Sequence, residues 1–129
     1  MSLPPYADFL GLIEEPGATA PRYLMPFTIG VTGRPGFLHG GALGGLLEMA
    51  AIGALKQALG EGADAKSGAR IKPVNVTVDY MRGGRDKPTY ARGTVTRLGN
   101  RIANVEAIAW QDEPDRPIAA ARMNFLILR

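Results

Sequence analysis

His39-Gly40-Gly41-Ala42-Leu43-Gly44-Gly45-Leu46-Leu47-Glu48-Met49-Ala50-Ala51-Ile52-Gly53-Ala54-Leu55-Lys56-Gln57-Ala58-Leu59 is the stretch that decides the fold. Leu43, Leu46, Leu47, Ala50, Ala51, Ala54 and Leu55 recur at three- and four-residue spacings, the period of an α-helix. The positions between them are mostly Gly, Ala, Met and Ile, so the helix is apolar nearly all round. Such a helix has to be enclosed by other structure. Gly44, Gly45 and Gly53 each weaken a helix, which predicts places where backbone from elsewhere comes close.

Downstream, glycine-rich Gly60 to Gly68 reads as a linker, and after it the period changes to two. Val74, Val76, Val78 and Tyr80 alternate with Asn75, Thr77, Asp79 and Met81, as in a half-buried strand. A turn at Gly83-Gly84-Arg85-Asp86 leads to a strand over Thr89 to Leu98. Leu98-Gly99-Asn100-Arg101 predicts a tight hairpin, with further strands at Ile102 to Trp110 and Ile118 to Leu128. Upstream, Tyr23 to Gly33 reads as a strand that Pro26 confines to an edge or a bulge. Pro5 to Ile13 reads as a short helix. Short connections predict an antiparallel meander. The expected class is α+β: a five-stranded antiparallel sheet around one long central helix, plus a short N-terminal helix, in a single domain over residues 1–129. A partly uncovered sheet edge predicts self-association, as a homodimer or as a dimer of dimers, a homotetramer.

Composition narrows the function classes. The chain has 129 residues, no cysteine and one histidine, which excludes disulfide scaffolds, zinc ribbons and cysteine nucleophiles. A lone histidine and the lack of clustered carboxylates on the helix disfavour metal catalysis, so no metal and no other cofactor is expected. No uninterrupted apolar run reaches the ~18–20 residues of a membrane span. The N-terminus lacks the basic and apolar pattern of a signal peptide, so no membrane partner and a cytoplasmic location are expected. Between Arg70 and Arg101 stand eight basic residues against two acidic ones, Asp79 and Asp86. This block suits either an anionic partner or a solvated strand face. With only Tyr80 and Tyr90 as aromatics there, nucleic acid is not the expected ligand.

Glu48 is the only charged side chain between Arg34 and Lys56, and its helical neighbours Gly44, Gly45, Ala51 and Ile52 cannot pair with it. A carboxylate in apolar surroundings is costly unless something non-local satisfies it. It suits a general base or a nucleophile, or else it reaches solvent or an arginine such as Arg82. His39-Gly40-Gly41 stands at the helix start, where free backbone N–H groups and the helix dipole can stabilise an oxyanion. On physics alone His39 reads first as an N-terminal cap or a packed histidine, and only then as a catalytic group. Nine positions from His39 to Glu48 span about 13.5 Å of helix. If both ends act on one carbonyl, they must come from two helices, hence from two copies of the chain.

Gly36-Phe37-Leu38-His39-Gly40-Gly41 followed by Leu46-Leu47-Glu48 resembles the hotdog-fold acyl-CoA thioesterases of the phenylacetic-acid-degradation (PaaI) type. Tyr80-Met81-Arg82 is similar to that family's second-strand ending, and Ala119 to Phe125 to its last strand. The resemblance implies hydrolysis of an acyl-CoA thioester, with Glu48, His39 and Gly40 as the catalytic group. Gly40 N–H would polarise the carbonyl, and Glu48 of a partner copy would activate water or attack directly. Gly41, Phe37, Leu47 and Met81, with Leu43 and Met49, would meet the acyl part. Arg82, Arg97 and Arg101 would meet the CoA phosphates. Gly33 replaces an asparagine common in the family, and Pro73 replaces a serine or threonine that helps orient carbonyl or water. A module that binds acyl-CoA or another acyl ligand without turnover is the alternative, and Glu48 favours the enzyme.

Overall fold

The expected hairpin forms: Gly99 N–H donates to the Ile102 carbonyl at 2.9 Å, turning β4 (Thr89–Leu98) back into β5 (Ile102–Trp110). The computed structural model describes residues 3–60 and 70–128, so most of the predicted linker over Gly60 to Gly68 lies outside the described residues. β5 pairs antiparallel with β6 (Ala119–Leu128), and these three strands are the expected meander. β3 (Arg70–Tyr80) departs from it. It pairs with β6, from Arg70 opposite Leu128 to Tyr80 opposite Ala119, and so forms an edge rather than lying beside β4. The connection over residues 81–88 is long enough to cross the intervening strand ends. Met81 and Arg82 both donate backbone N–H to the Ile118 carbonyl on the way.

The sheet has six strands, not five, in the order β1-β2-β4-β5-β6-β3. The N-terminal helix α1 covers only Tyr6–Phe9, and Gly11 at φ 71° reverses the chain into a strand. That strand, β1 (Ile13–Glu15), pairs with β2 (Arg22–Met25). The Tyr23 hydroxyl donates to Glu14 at 2.7 Å, and Arg22 pairs with Glu15, so side-chain partners hold this short ribbon. β2 stops at Met25 instead of running to Gly33, because Pro26 has no N–H for the ladder. A short 3-10 helix follows at Ile29–Val31.

α2 (Gly40–Leu59) lies on the inner face, mainly across β4 and β5. By length and composition it could cross a membrane, but two-thirds of its apolar window is buried inside this protein. The strands beneath it present small side chains, Ala91, Ala103, Ala107 and Ala109, all buried. A Cβ on Gly93 would stand 2.6 Å from the Ala50 carbonyl oxygen, so glycine there sets how closely helix and sheet approach. The helix glycines were expected to admit backbone. Instead they admit aromatic side chains: Tyr6 lies against Gly45 and Tyr23 against Gly53. Leu46, Leu47 and Leu55 are fully buried, each contributing about 1.5–3 kcal/mol.

Candidate active site

Three backbone hydrogen bonds place the start of α2. Gly33 N–H donates to the Phe37 carbonyl, Leu38 N–H to that of Gly84, and His39 N–H to that of Val31, at 2.8–2.9 Å. Gly33 packs directly on His39, where a Cβ would lie 3.1 Å from the His39 Cα. The small residue that departs from the family pattern therefore fills a tight contact.

His39 is the N-cap: its Nδ1 accepts the Gly41 N–H at 2.8 Å, which leaves the proton of the neutral ring on Nε2. A Cβ on Gly41 would stand 2.9 Å from that Nδ1, so a side chain there would push the His39 ring out of its capping position. The cap consumes Gly41 N–H. Gly40 N–H, one position earlier, has no partner among the described residues. It is the donor left over at the positive end of the helix.

Tyr80, at the end of the edge strand, packs on Gly40. Its hydroxyl donates to the Gly40 carbonyl at 3.0 Å, and its ring lies 3.5 Å from where a Gly40 Cβ would be. Gly44 and Glu48 follow Gly40 at four-residue steps and share its side of the helix. Glu48 is half-buried and, among the described residues, has neither a hydrogen bond nor an ion pair. Arg82 is exposed and does not pair with it. About 13.5 Å of helix separates His39 from Glu48, so one chain does not bring the two ends together.

The remaining expected positions scatter. Leu47 is fully buried, and Leu43 and Met49 are core residues as well. Phe37 is half-buried beside the helix start, and Met81 is exposed next to Tyr80. Arg97 and Arg101 stand at the β4–β5 hairpin, at the opposite end of the sheet from Gly40 and Arg82. A hollow of about 280 Å³ lined by Asn75, Asn104 and Asn124 lies on the outer face, with the sheet between it and α2. Residues that the sequence did not single out are Tyr80 as a bonding partner of Gly40, and Arg34 and Arg85 beside Phe37. In sequence Arg85 carries no signal beyond its turn and the basic block, because its contact with Phe37 is made by the fold.

The model of the thioesterase superfamily matches residues 35–118, which include the tripeptide, Glu48 and Tyr80. No curated protein matches the chain. Among solved structures, a Chromobacterium violaceum protein is 32% identical, with 97% of this chain and 84% of that chain covered and a TM-score of 0.72. A phenylacetic acid degradation-related protein of Ralstonia eutropha JMP134 is 20% identical, covering 98% and 92%, with a TM-score of 0.79. A Bacillus halodurans protein solved with CoA is 18% identical, covering 96% and 78%, with a TM-score of 0.77. The last two show the hotdog fold. With the family match running from the helix start through β5, the chain belongs to the thioesterase superfamily.

Proposed function

We propose that the protein hydrolyses an acyl-CoA thioester to the free acid and CoA. The observation that carries this reading is the pairing, on one open side of α2, of a Gly40 N–H and a Glu48 carboxylate that both lack partners among the described residues. Gly40 N–H receives the carbonyl oxygen as it gains negative charge. Glu48 of a second copy either takes a proton from water, whose oxygen adds to the carbonyl carbon, or attacks that carbon itself. The carbon–sulfur bond then breaks, and the CoA thiolate leaves and takes up a proton; where Glu48 itself has attacked, water then cleaves the acyl–Glu48 anhydride, releasing the acid and restoring the carboxylate. CoA bound to the Bacillus halodurans structure supports this class of ligand.

Self-association belongs to the proposal. β3 is an 11-residue edge strand with one neighbour, and Val76 and Tyr80 on it are exposed. A long edge of this kind invites pairing with a second copy. A partner helix arriving there would bring its Glu48 to this chain's Gly40. With acyl-CoA as substrate, the working location is the cytoplasm.

The test is a panel of acyl-CoAs followed by thiol release, with Glu48→Gln alongside. Turnover of the best substrate should fall at least ~100-fold in a variant that melts no earlier than the parent. A parent that binds acyl-CoA without releasing thiol would favour the binding module instead.

A further inference from the structure

Arg34 and Arg85, 51 positions apart in the chain, stack on the same aromatic ring. Their guanidinium carbons lie 4.0 and 4.3 Å from the centroid of Phe37. Both cations are drawn to the ring's π-density, but they repel each other. Among the described residues, Arg22 is paired with Glu15, Lys87 with Asp112 and Arg122 with Asp79, while others such as Arg82 and Arg97 have no carboxylate partner. Arg34 and Arg85 have none among them either; what sets these two apart is the ring they share.

Arg85 is also held in place, while among the described residues the Arg34 side chain is held by the Phe37 ring alone. Phe37 and Arg85 face each other across an isolated β-bridge, and Arg85 Nε donates to the Gly36 carbonyl at 3.3 Å. Gln111 grips the Arg85 backbone on both sides, accepting its N–H and donating to its carbonyl, each at 3.0 Å. The same Gln111 amide donates to the Lys87 carbonyl and to the Thr89 hydroxyl. Positioned guanidiniums lose little entropy on binding, and their planar forks match phosphate oxygens.

We propose that Arg34 and Arg85, both against the Phe37 ring, bind phosphate groups of CoA beside the start of α2. This rests on the acyl-CoA reading above. Phe37 precedes Gly40 by three residues, roughly 10 Å of extended chain. The flexible pantetheine arm of CoA is long enough to join a phosphate here to a thioester at Gly40. Arg97 and Arg101 cannot serve that ligand within one chain, since ten residues of β4 put them about 30 Å away.

The experiment compares CoA with pantetheine, which has the thiol arm and no phosphates, by calorimetry on the parent, Arg34→Gln, Arg85→Gln and the double variant. Arg92→Gln, on the outer face of β4, controls for net charge. The preference for CoA over pantetheine should fall about threefold in each single variant and roughly tenfold in the double one. Arg92→Gln should keep the parent's preference. A double variant with the parent's preference overturns the site, as does an equal fall in Arg92→Gln or a parent that binds both probes alike. Should the double variant fail to fold, the two single variants carry the same comparison. Thiol release from an acyl-pantetheine is assayed separately. If it persists and depends on Glu48 while the phosphate preference is absent, the phosphate site fails and the hydrolase reading stands.

Discussion

The Tyr80 hydroxyl donates to the carbonyl of Gly40, the residue whose own N–H is left free at the start of α2. An edge strand thereby holds the peptide next to the proposed oxyanion donor. The two elements are 40 positions apart, and this bond is what ties the end of β3 to the first turn of the helix.

Tyr80→Phe keeps the ring over Gly40 and removes only the hydroxyl. Its stability loss should be about 0.5–1.5 kcal/mol, the ordinary net worth of a hydrogen bond. Turnover should fall by roughly 3–10-fold through kcat, with KM changing less, because the donor is misaligned rather than lost. Steady-state kinetics with a fixed acyl-CoA check this. A fall confined to KM would make Tyr80 a binding residue and not a positioning one.

His39 acts through Gly41, whose N–H it caps. His39→Ala should cost about 0.5–2 kcal/mol, the usual loss for an N-cap, and should lower turnover as the first turn frays. Asparagine is a strong N-cap, so His39→Asn should recover most of both. Thermal melts and thiol release on the two variants give the answer. An Asn variant that is stable but inactive would show that the Nε2–H meets substrate directly.

A site completed by two copies makes a prediction about hybrids. Gly41→Val would push its side chain into His39 Nδ1, where even a Cβ stands at 2.9 Å, and so disable the helix start. Glu48→Ala disables the other end. A hybrid dimer of the two chains contains one site with both ends intact, so it should recover up to about half the parent's activity. Purified hybrids with no more activity than the separate variants would place the whole site in one chain.

What was legible in the sequence followed local periodicity. The 3.6-residue pattern located α2, and Gly99-Asn100 located the β4–β5 hairpin, because both depend on neighbours along the chain. The partner of β3 was not legible. Its alternation names a face of a sheet but not a neighbour, and the 81–88 connection reaches β4 only by crossing strand ends. β1 is not legible either, because three residues carry no periodicity and their anchors, Tyr23 and Arg22, lie on another strand. The basic block is divided by the fold for a related reason. Arg82, Arg97 and Arg101 are close in sequence, yet the direction of β4 sends them to opposite ends of the sheet. Arg34 and Arg85, far apart in sequence, meet on one ring.

Tyr23 offers a test of the fold independent of catalysis. It is fully buried, its ring fills the space at Gly53, and its hydroxyl bonds Glu14. Burial pushes the phenol well above its ordinary value, and the hydrogen bond to Glu14 and that residue's negative charge push it the same way. The unfolded chain releases this proton near pH 10, the ordinary value for tyrosine, while the folded protein still holds it. Above that pH the native state binds the extra proton, so stability falls as pH rises. The contribution is fully present below about pH 10 and is lost through the alkaline range at up to ~1.4 kcal/mol per pH unit. Tyr23→Phe removes the titration, so its unfolding free energy should fall less steeply than the parent's above pH 10. At neutral pH the variant should be less stable by about 1 kcal/mol, for the lost bond to Glu14. Denaturant unfolding between pH 8 and pH 11 measures both effects. Parallel curves for the two proteins would mean that Tyr23 ionises in the folded state as readily as in the unfolded one, and the buried bond to Glu14 would have to be abandoned.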